Sequence, residues 1–445
     1  MKILTKCLGA IVASGLTIEA SASELYPSPS TDEAFVAVDL REVELGRLLF
    51  WDPILSGNKN ISCGTCHHPK FGTADGVSLS IGEGGIGLGP QRFGDANNMP
   101  EQRIPRNAPA LFNLGAKEFT TLFHDGRLET DAAKASGIRT PLDEDMLLGF
   151  SGVLSAQSMF PVLSADEMAG HYSENDVAKA VRRGVITGEG GAWDIISKRV
   201  AALDEYQQRF ASFDSEIAEG KSIDFTDISN AVAAFIAFEW RSDNSPFDQH
   251  LNGDEVLSDE ARSGMELFYG KAACSTCHSG VFQTDHRFHA MGVPQIGPGK
   301  AARFETHSQD TGRMRVTGKE EDAYAFRTPS LRNVTLTAPY GHNGAYRDLR
   351  QFVERHLAPA SALDNYELSQ ALFAKFEAPK DDWAALNDAG ETAAISNAAV
   401  QTEIELNADE IDALMEFLAA LTDNEGAEGK LGIPEDVPSG LAIDH

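Results

Sequence analysis

The sequence predicts a mainly α chain of two similarly organised halves, and three observations carry that prediction. First, a pentapeptide of one pattern occurs twice, as Cys63-Gly64-Thr65-Cys66-His67 and as Cys274-Ser275-Thr276-Cys277-His278. Second, a helical pattern of apolar residues runs into each copy. Third, no stretch shows sustained alternation of apolar and polar residues, so little strand is expected. In Cys-x-x-Cys-His, two thiols three positions apart can each add to one haem vinyl group, and the following imidazole lies under the iron as its ligand. Two copies predict two covalent c-type haems, with Cys63, Cys66 and His67 holding one and Cys274, Cys277 and His278 the other. A zinc site would need four neighbouring ligands, and here the pairs lie a domain's length apart. A redox dithiol gives no reason for a histidine to follow both times.

The elements follow in order. Residues 1–22 read as a signal peptide: Lys2 and Lys6 precede an apolar run from Leu8 to Ile18, and Ala20-Ser21-Ala22 offers a small-residue cleavage site. The run is too short to span a bilayer. Export to the periplasm is the expectation; it removes Cys7 and leaves four cysteines, all within the two motifs. Val43, Leu45, Leu48 and Leu49 form the apolar face of a first helix, which Phe50-Trp51-Asp52-Pro53 ends. An apolar helix spans Ile228 to Trp240, and Arg241-Ser242-Asp243-Asn244-Ser245-Pro246 reads as a linker. The halves are therefore 33–243 and 244–430. Ser258-Asp259-Glu260-Ala261 starts the helix carrying Met265, Leu267 and Phe268. After Asn407-Ala408-Asp409-Glu410, the residues Ile411, Leu414, Met415, Phe417, Leu418 and Leu421 repeat at helical spacing. The glycine-rich stretches Ile81–Gly94 and Gly292–Gly299 read as functional or cofactor-wrapping loops.

A chain of 445 residues can build two or three well-cored domains. Its net charge of −30 argues against nucleic acid and against anionic membrane surfaces, and would favour a basic partner by electrostatic steering. An acidic, solubility-adapted surface explains the same number.

Several further blocks stand out: Leu45-Gly46-Arg47-Leu48-Leu49-Phe50 with Leu55-Ser56-Gly57, Pro105-Arg106-Asn107-Ala108-Pro109, Asp125-Gly126-Arg127, Pro161-Val162 with Glu167-Met168, and Phe326-Arg327-Thr328-Pro329-Ser330-Leu331-Arg332-Asn333-Val334 running into Leu336-Thr337-Ala338-Pro339-Tyr340. With these blocks, from about Glu42 to Thr422, the chain resembles the bacterial di-haem cytochrome c peroxidase family, which includes MauG. The resemblance implies two cytochrome c-like domains, with hydrogen peroxide reduced at the N-terminal haem and electrons entering at the C-terminal haem from a small cytochrome or cupredoxin. It also admits a MauG-like enzyme that oxidises residues of a partner protein through high-valent haem. A plain di-haem electron carrier is the rival from another class. Homodimers are common in the family.

The resemblance assigns Glu167 as the catalytic glutamate. A carboxylate near an open iron can move a proton from the inner to the outer peroxide oxygen. Read alone, Ser164-Ala165-Asp166-Glu167 is a helix cap followed by first-turn acids. Three positions depart from the family pattern. Glu83, in Ser80-Ile81-Gly82-Glu83-Gly84, stands where many members carry a histidine that blocks the first iron; it is either a pocket carboxylate or a loop residue turned to solvent. His356 stands where the peroxidases carry methionine and MauG tyrosine, which implies His278/His356 coordination and a less oxidising haem than His/Met. Met291 is the rival ligand, while His286, His289 and His342 read as structural or propionate-contacting groups. His124 replaces the inter-haem aromatic, with Trp51 and Phe123 as alternatives for electron passage. The resemblance further places an inter-domain Ca2+ on Asn107, Thr337 and Pro339, whose oxygens suit a hard cation.

Overall fold

The computed structural model describes residues 26–254, 256–301 and 305–445. The signal peptide and Cys7 lie outside the described residues. Each half is built on one tight helix crossing. In the first, Leu40–Trp51 crosses Phe225–Glu239; in the second, Asp259–Tyr269 crosses Ala408–Ala419. The glycine at each crossing explains the approach. A Cβ on Gly46 would lie 1.8 Å from the Ala231 carbonyl oxygen, and one on Gly264 would lie 1.9 Å from that of Ala413. Phe235 and Phe417, four residues beyond those carbonyls, pack at the same crossings. The two halves therefore share not only a motif but the packing ahead of it.

Local sequence sets the helix ends. Asp39 accepts from Arg41 N, Asp224 from Thr226 N, Ser258 from Ala261 N and Asn407 from Glu410 N, each satisfying a donor of a first turn. The first helix ends at Trp51; Asp52 then accepts from Ile54 N and Pro53 opens a short 3-10 turn. The core changes hands between Trp240, buried with the first half, and Phe247, buried with the second. Strands are two or three residues long. They pair Gly85–Ile86 with Phe93–Gly94, Thr121–Leu122 with Leu128–Thr130 and Ile138–Arg139, and Phe288–His289 with Phe326–Arg327, all antiparallel. No described helix is long and apolar enough to cross a membrane.

Two features depart from the sequence reading. Ser164 opens no α-helix and makes no side-chain cap bond: Ala165–Ala169 forms one wide π turn, in which the Ser164 carbonyl receives the N–H groups of Glu167, Met168 and Ala169. The chain beyond residue 430 also returns to the first half. Glu239 receives Leu431 N and Gly432 N at 2.8 Å, Ser439 donates to Asp52 at 2.6 Å, and Leu441 and Ile443 pack on the first core.

Buried ion pairs join the halves. Arg106 clasps Asp310 through two bonds of 2.7 and 2.8 Å while pairing with Asp125 at 2.7 Å. Arg103 meets Asp382 at 2.9 Å and Arg313 meets Glu129 at 3.1 Å. Removing Arg106, whose two carboxylate partners are also buried, strands charge away from water, a cost of about 3–5 kcal/mol.

Candidate haem sites and the seam between them

The first motif is a single helical turn, Cys63–Cys66, that brings its two thiols to one side. Thr65 Oγ1 accepts from Ser62 N at 3.1 Å, fixing the turn. A Cβ on Gly64 would strike the Trp51 ring at 2.2 Å, so the motif lies flat on the tryptophan that ends the first helix. His67 N–H donates to the Cys63 carbonyl at 2.9 Å, and its ring Nδ1 donates to the Thr73 carbonyl at 3.1 Å. That bond fixes the tautomer with the proton on Nδ1, so Nε2 is the nitrogen suited to bind a metal. Burial lowers the pKa of His67, so its imidazole is neutral, as a metal ligand must be.

The second motif repeats this geometry in a 3-10 turn, Cys274–Thr276. His278 N–H donates to the Cys274 carbonyl at 2.9 Å and Nδ1 to the Gln283 carbonyl at 3.1 Å. His356 ends the helix Leu349–His356; its Nδ1 donates to the Phe352 carbonyl at 2.9 Å, again making Nε2 the nitrogen suited to bind a metal. Burial, followed by the charge of the nearby His356, pushes His278 down to about 4. The structure thus brings the two imidazoles together with matching donor atoms available. His67, His278 and His356 all lie deep in the protein without being fully enclosed. The donor sets fit two covalent haems, one with His67 and one with His278 and His356. Cys277, Asp285 and His289 also converge within 4.8 Å. Because Cys277 belongs to the attachment motif, the remaining contact is structural: His289 Nε2 pairs with Asp285 at 2.9 Å.

Glu167 lies in the π turn, deep in the first half. Burial raises the pKa of its carboxyl, against the opposing charges of Lys300 and Arg127. Burial of this kind favours the neutral carboxyl and the two cations favour the carboxylate, which suits the group to passing a proton. Arg127 is stacked over Phe123 at 3.6 Å and bonded to both oxygens of Asp125 at 3.1 Å. Lys300 comes from the second half, just beyond the glycine-rich loop. Burial, then the charges of Arg127 and Arg106, lower it to about 8. The surroundings of Glu167 are therefore assembled from both halves, a role for Lys300 that sequence reading missed. Its nearest signal was the loop Gly292–Gly299, one residue short.

Glu83 does not turn to solvent. It is 1% exposed, and its Oε1 receives the amides of Asn60 and Asn98 at 2.8 Å and of Asn58 at 3.0 Å. Its backbone N–H donates to the Asp166 carbonyl at 3.1 Å. At Gly82, a Cβ would fall 2.2 Å from that same oxygen and 2.8 Å from Glu167 Cα, so only glycine lets this loop lie against the π turn. Arg92 braces the loop from its other side through the carbonyls of Ile81, Gly82 and Gly87.

Between the two motifs, His124 Nε2 donates to the Asn107 carbonyl at 3.1 Å, and burial with the charge of Arg106 lowers its pKa to about 4. His342 stacks on Phe326 at 3.6 Å, nearly parallel, with Nε2 against Gln295. His286 pairs with Glu118 at 3.0 Å across the halves. Asn107 donates from its amide to the Val77 carbonyl at 2.8 Å. A Cβ on Gly344 would meet both Ser78 and Pro339, while the Thr337 hydroxyl turns to the Val334 carbonyl.

The comparisons with known proteins agree with this geometry. The profile of the di-haem cytochrome c peroxidase family matches residues 40–256. The chain is 28% identical to the cytochrome c551 peroxidase of Nitrosomonas europaea, over 80% of this chain and 82% of that one. It is 28% identical to the methylamine utilization protein MauG of Methylorubrum extorquens, over 71% and 68%. The fold matches that of the diheme peroxidase BthA of Burkholderia thailandensis with a TM-score of 0.56, at 20% identity and 94% coverage of both chains. The chain belongs to the di-haem cytochrome c peroxidase/MauG family of haem-dependent oxidoreductases.

Proposed function

We propose that the protein is a periplasmic di-haem peroxidase that reduces hydrogen peroxide to water with electrons from a small redox protein. The observation that carries this reading is the buried carboxyl of Glu167, flanked by the cations of Arg127 and Lys300, in the half that offers His67. Haem held by Cys63, Cys66 and His67 supplies the peroxide-binding iron, and haem held by Cys274, Cys277, His278 and His356 supplies the electron entry. Two electrons and two protons convert one peroxide into two waters.

Glu167 takes the proton from the inner peroxide oxygen and returns it to the outer one, which departs as water. The guanidinium of Arg127 and the ammonium of Lys300 favour the carboxylate form between those two transfers. Glu83 serves as the anchor of the loop beneath Glu167, its Oε1 held by three amides. Ca2+ between the halves would be held by the amide oxygen of Asn107 and the main-chain carbonyls of Thr337 and Pro339, oxygens that suit a hard cation.

A MauG-like oxidation of a partner protein is the second reading. It is favoured by Glu83, because the loop that carries a blocking histidine in many peroxidases presents here a carboxylate already held by three asparagines. A steady-state assay with hydrogen peroxide and reduced cytochrome c decides between them. Stoichiometric oxidation of two cytochromes per peroxide supports the peroxidase; peroxide consumption without sustained donor oxidation supports the second reading, and no consumption contradicts both.

A further inference from the structure

We propose that Arg327 binds a propionate carboxylate of the haem held by His278, at the seam between the two halves. The inference rests on the di-haem reading above.

Its first support is an incomplete set of partners. Among the described residues, five buried guanidiniums are satisfied. Arg106 meets Asp125 and Asp310, Arg103 meets Asp382, Arg313 meets Glu129, and Arg332 meets Asp248. Arg92 spends its N–H groups on three carbonyls. Arg327 has one long bond, from Nη1 to the Thr328 carbonyl at 3.3 Å, and its Nε is buried with no partner. Deep placement lowers its pKa to about 10, with no carboxylate opposing the shift. A guanidinium whose Nε is shut off from water with no partner is costly, so a chain that keeps one there has an anion for it.

The second support is position. Arg327 N donates to the His124 carbonyl of the first half at 2.8 Å. The next residue, Thr328, donates from N to the Arg287 carbonyl and accepts Thr284 Oγ1 at 2.7 Å. Thr284 follows Gln283, whose carbonyl orients the ring of His278. Arg327 is thus fixed to the loop that aims the axial histidine of the second haem. The planar fork of a guanidinium matches a carboxylate, and propionate is the carboxylate a haem brings.

A positive charge at the propionate disfavours the ferric state, so its loss lowers the potential of that haem. In redox titrations of holoprotein, R327Q should lower the midpoint of the low-spin His278 haem by at least tenfold in the ferrous/ferric ratio, about 59 mV for one electron. R327K should recover at least half of that loss. An unchanged midpoint, equal shifts in R327Q and R327K, or a shift confined to the His67 haem would overturn the assignment. Should R327Q fail to mature, resonance Raman of R327K decides: the propionate bending mode moves from its wild-type frequency if Arg327 holds the carboxylate, and stays if it does not. Haem content is read separately; fewer than two haems per wild-type chain would defeat the di-haem reading rather than this assignment.

Discussion

Thr65, inside the first attachment motif, donates its hydroxyl to the carboxylate of Asp444 at 2.6 Å, so the penultimate residue of the chain is tied to the turn that carries the first haem. The tail reaches that point after passing Glu239 and Asp52, and Asp52 also receives Tyr206 OH at 2.7 Å. The second half cannot be removed without loosening the first.

Deleting residues 434–445 should therefore lower the thermal midpoint of the first half more than that of the second, as read by the separate loss of the two haem Soret signals on heating. T65V, which loses both the Asp444 bond and the cap to Ser62 N, should cost about 1–3 kcal/mol. Equal destabilisation of both halves would contradict the strap.

Gly46 and Gly264 occupy equivalent crossings, and alanine has no room at either. G46A and G264A should each destabilise by about 1–3 kcal/mol or more, since a carbonyl oxygen stands where the methyl group must go. Each should act on its own half, visible as selective loss of one haem during maturation.

Glu167 is the proton carrier of the account. E167Q keeps the shape of the side chain but cannot take a proton, so steady-state peroxide turnover should fall about 10²-fold or more with both haem spectra unchanged. Turnover within threefold of wild type would remove Glu167 from the mechanism.

Asp75 gives a pH signature of stability. Burial raises its carboxyl to about 6, against the opposing bonds from Ser80 Oγ and Val77 N. The folded protein therefore holds a proton between about pH 4 and 6 that the unfolded chain releases. The stabilisation is fully present below pH 4 and is lost as pH rises through 6, by about 3 kcal/mol for two pKa units. Denaturant titrations should show this slope in wild type and its absence in D75N.

Much of this architecture is legible in the sequence because its causes are local. The two attachment turns, the capping residues Ser258 and Asn407, and the apolar faces of the crossing helices all lie within a few residues of the features they determine. The resemblance supplied Glu167 and His356, and the structure places both deep in the protein, His356 beside His278. What stayed hidden depends on contacts distant in sequence. Lys300 reaches the surroundings of Glu167 from the other half, Asn98 joins Asn58 and Asn60 around one carboxylate, and Asp444 finds Thr65 across almost the whole chain. No periodicity or spacing encodes such meetings. Read alone, Ser164-Ala165-Asp166-Glu167 is an ordinary cap, and its close packing against the Gly82 loop is a contact that local sequence does not encode.

The central claim is that two like motifs hold two unlike irons, one open beside Glu167 and one closed by His278 and His356. An electron paramagnetic resonance spectrum of the oxidised holoprotein tests it most directly, recorded for wild type and for H356A. The account predicts one high-spin and one low-spin bis-imidazole signal in wild type, with the low-spin signal converted in H356A. Two low-spin signals in the resting protein, or a low-spin signal untouched by H356A, would contradict it.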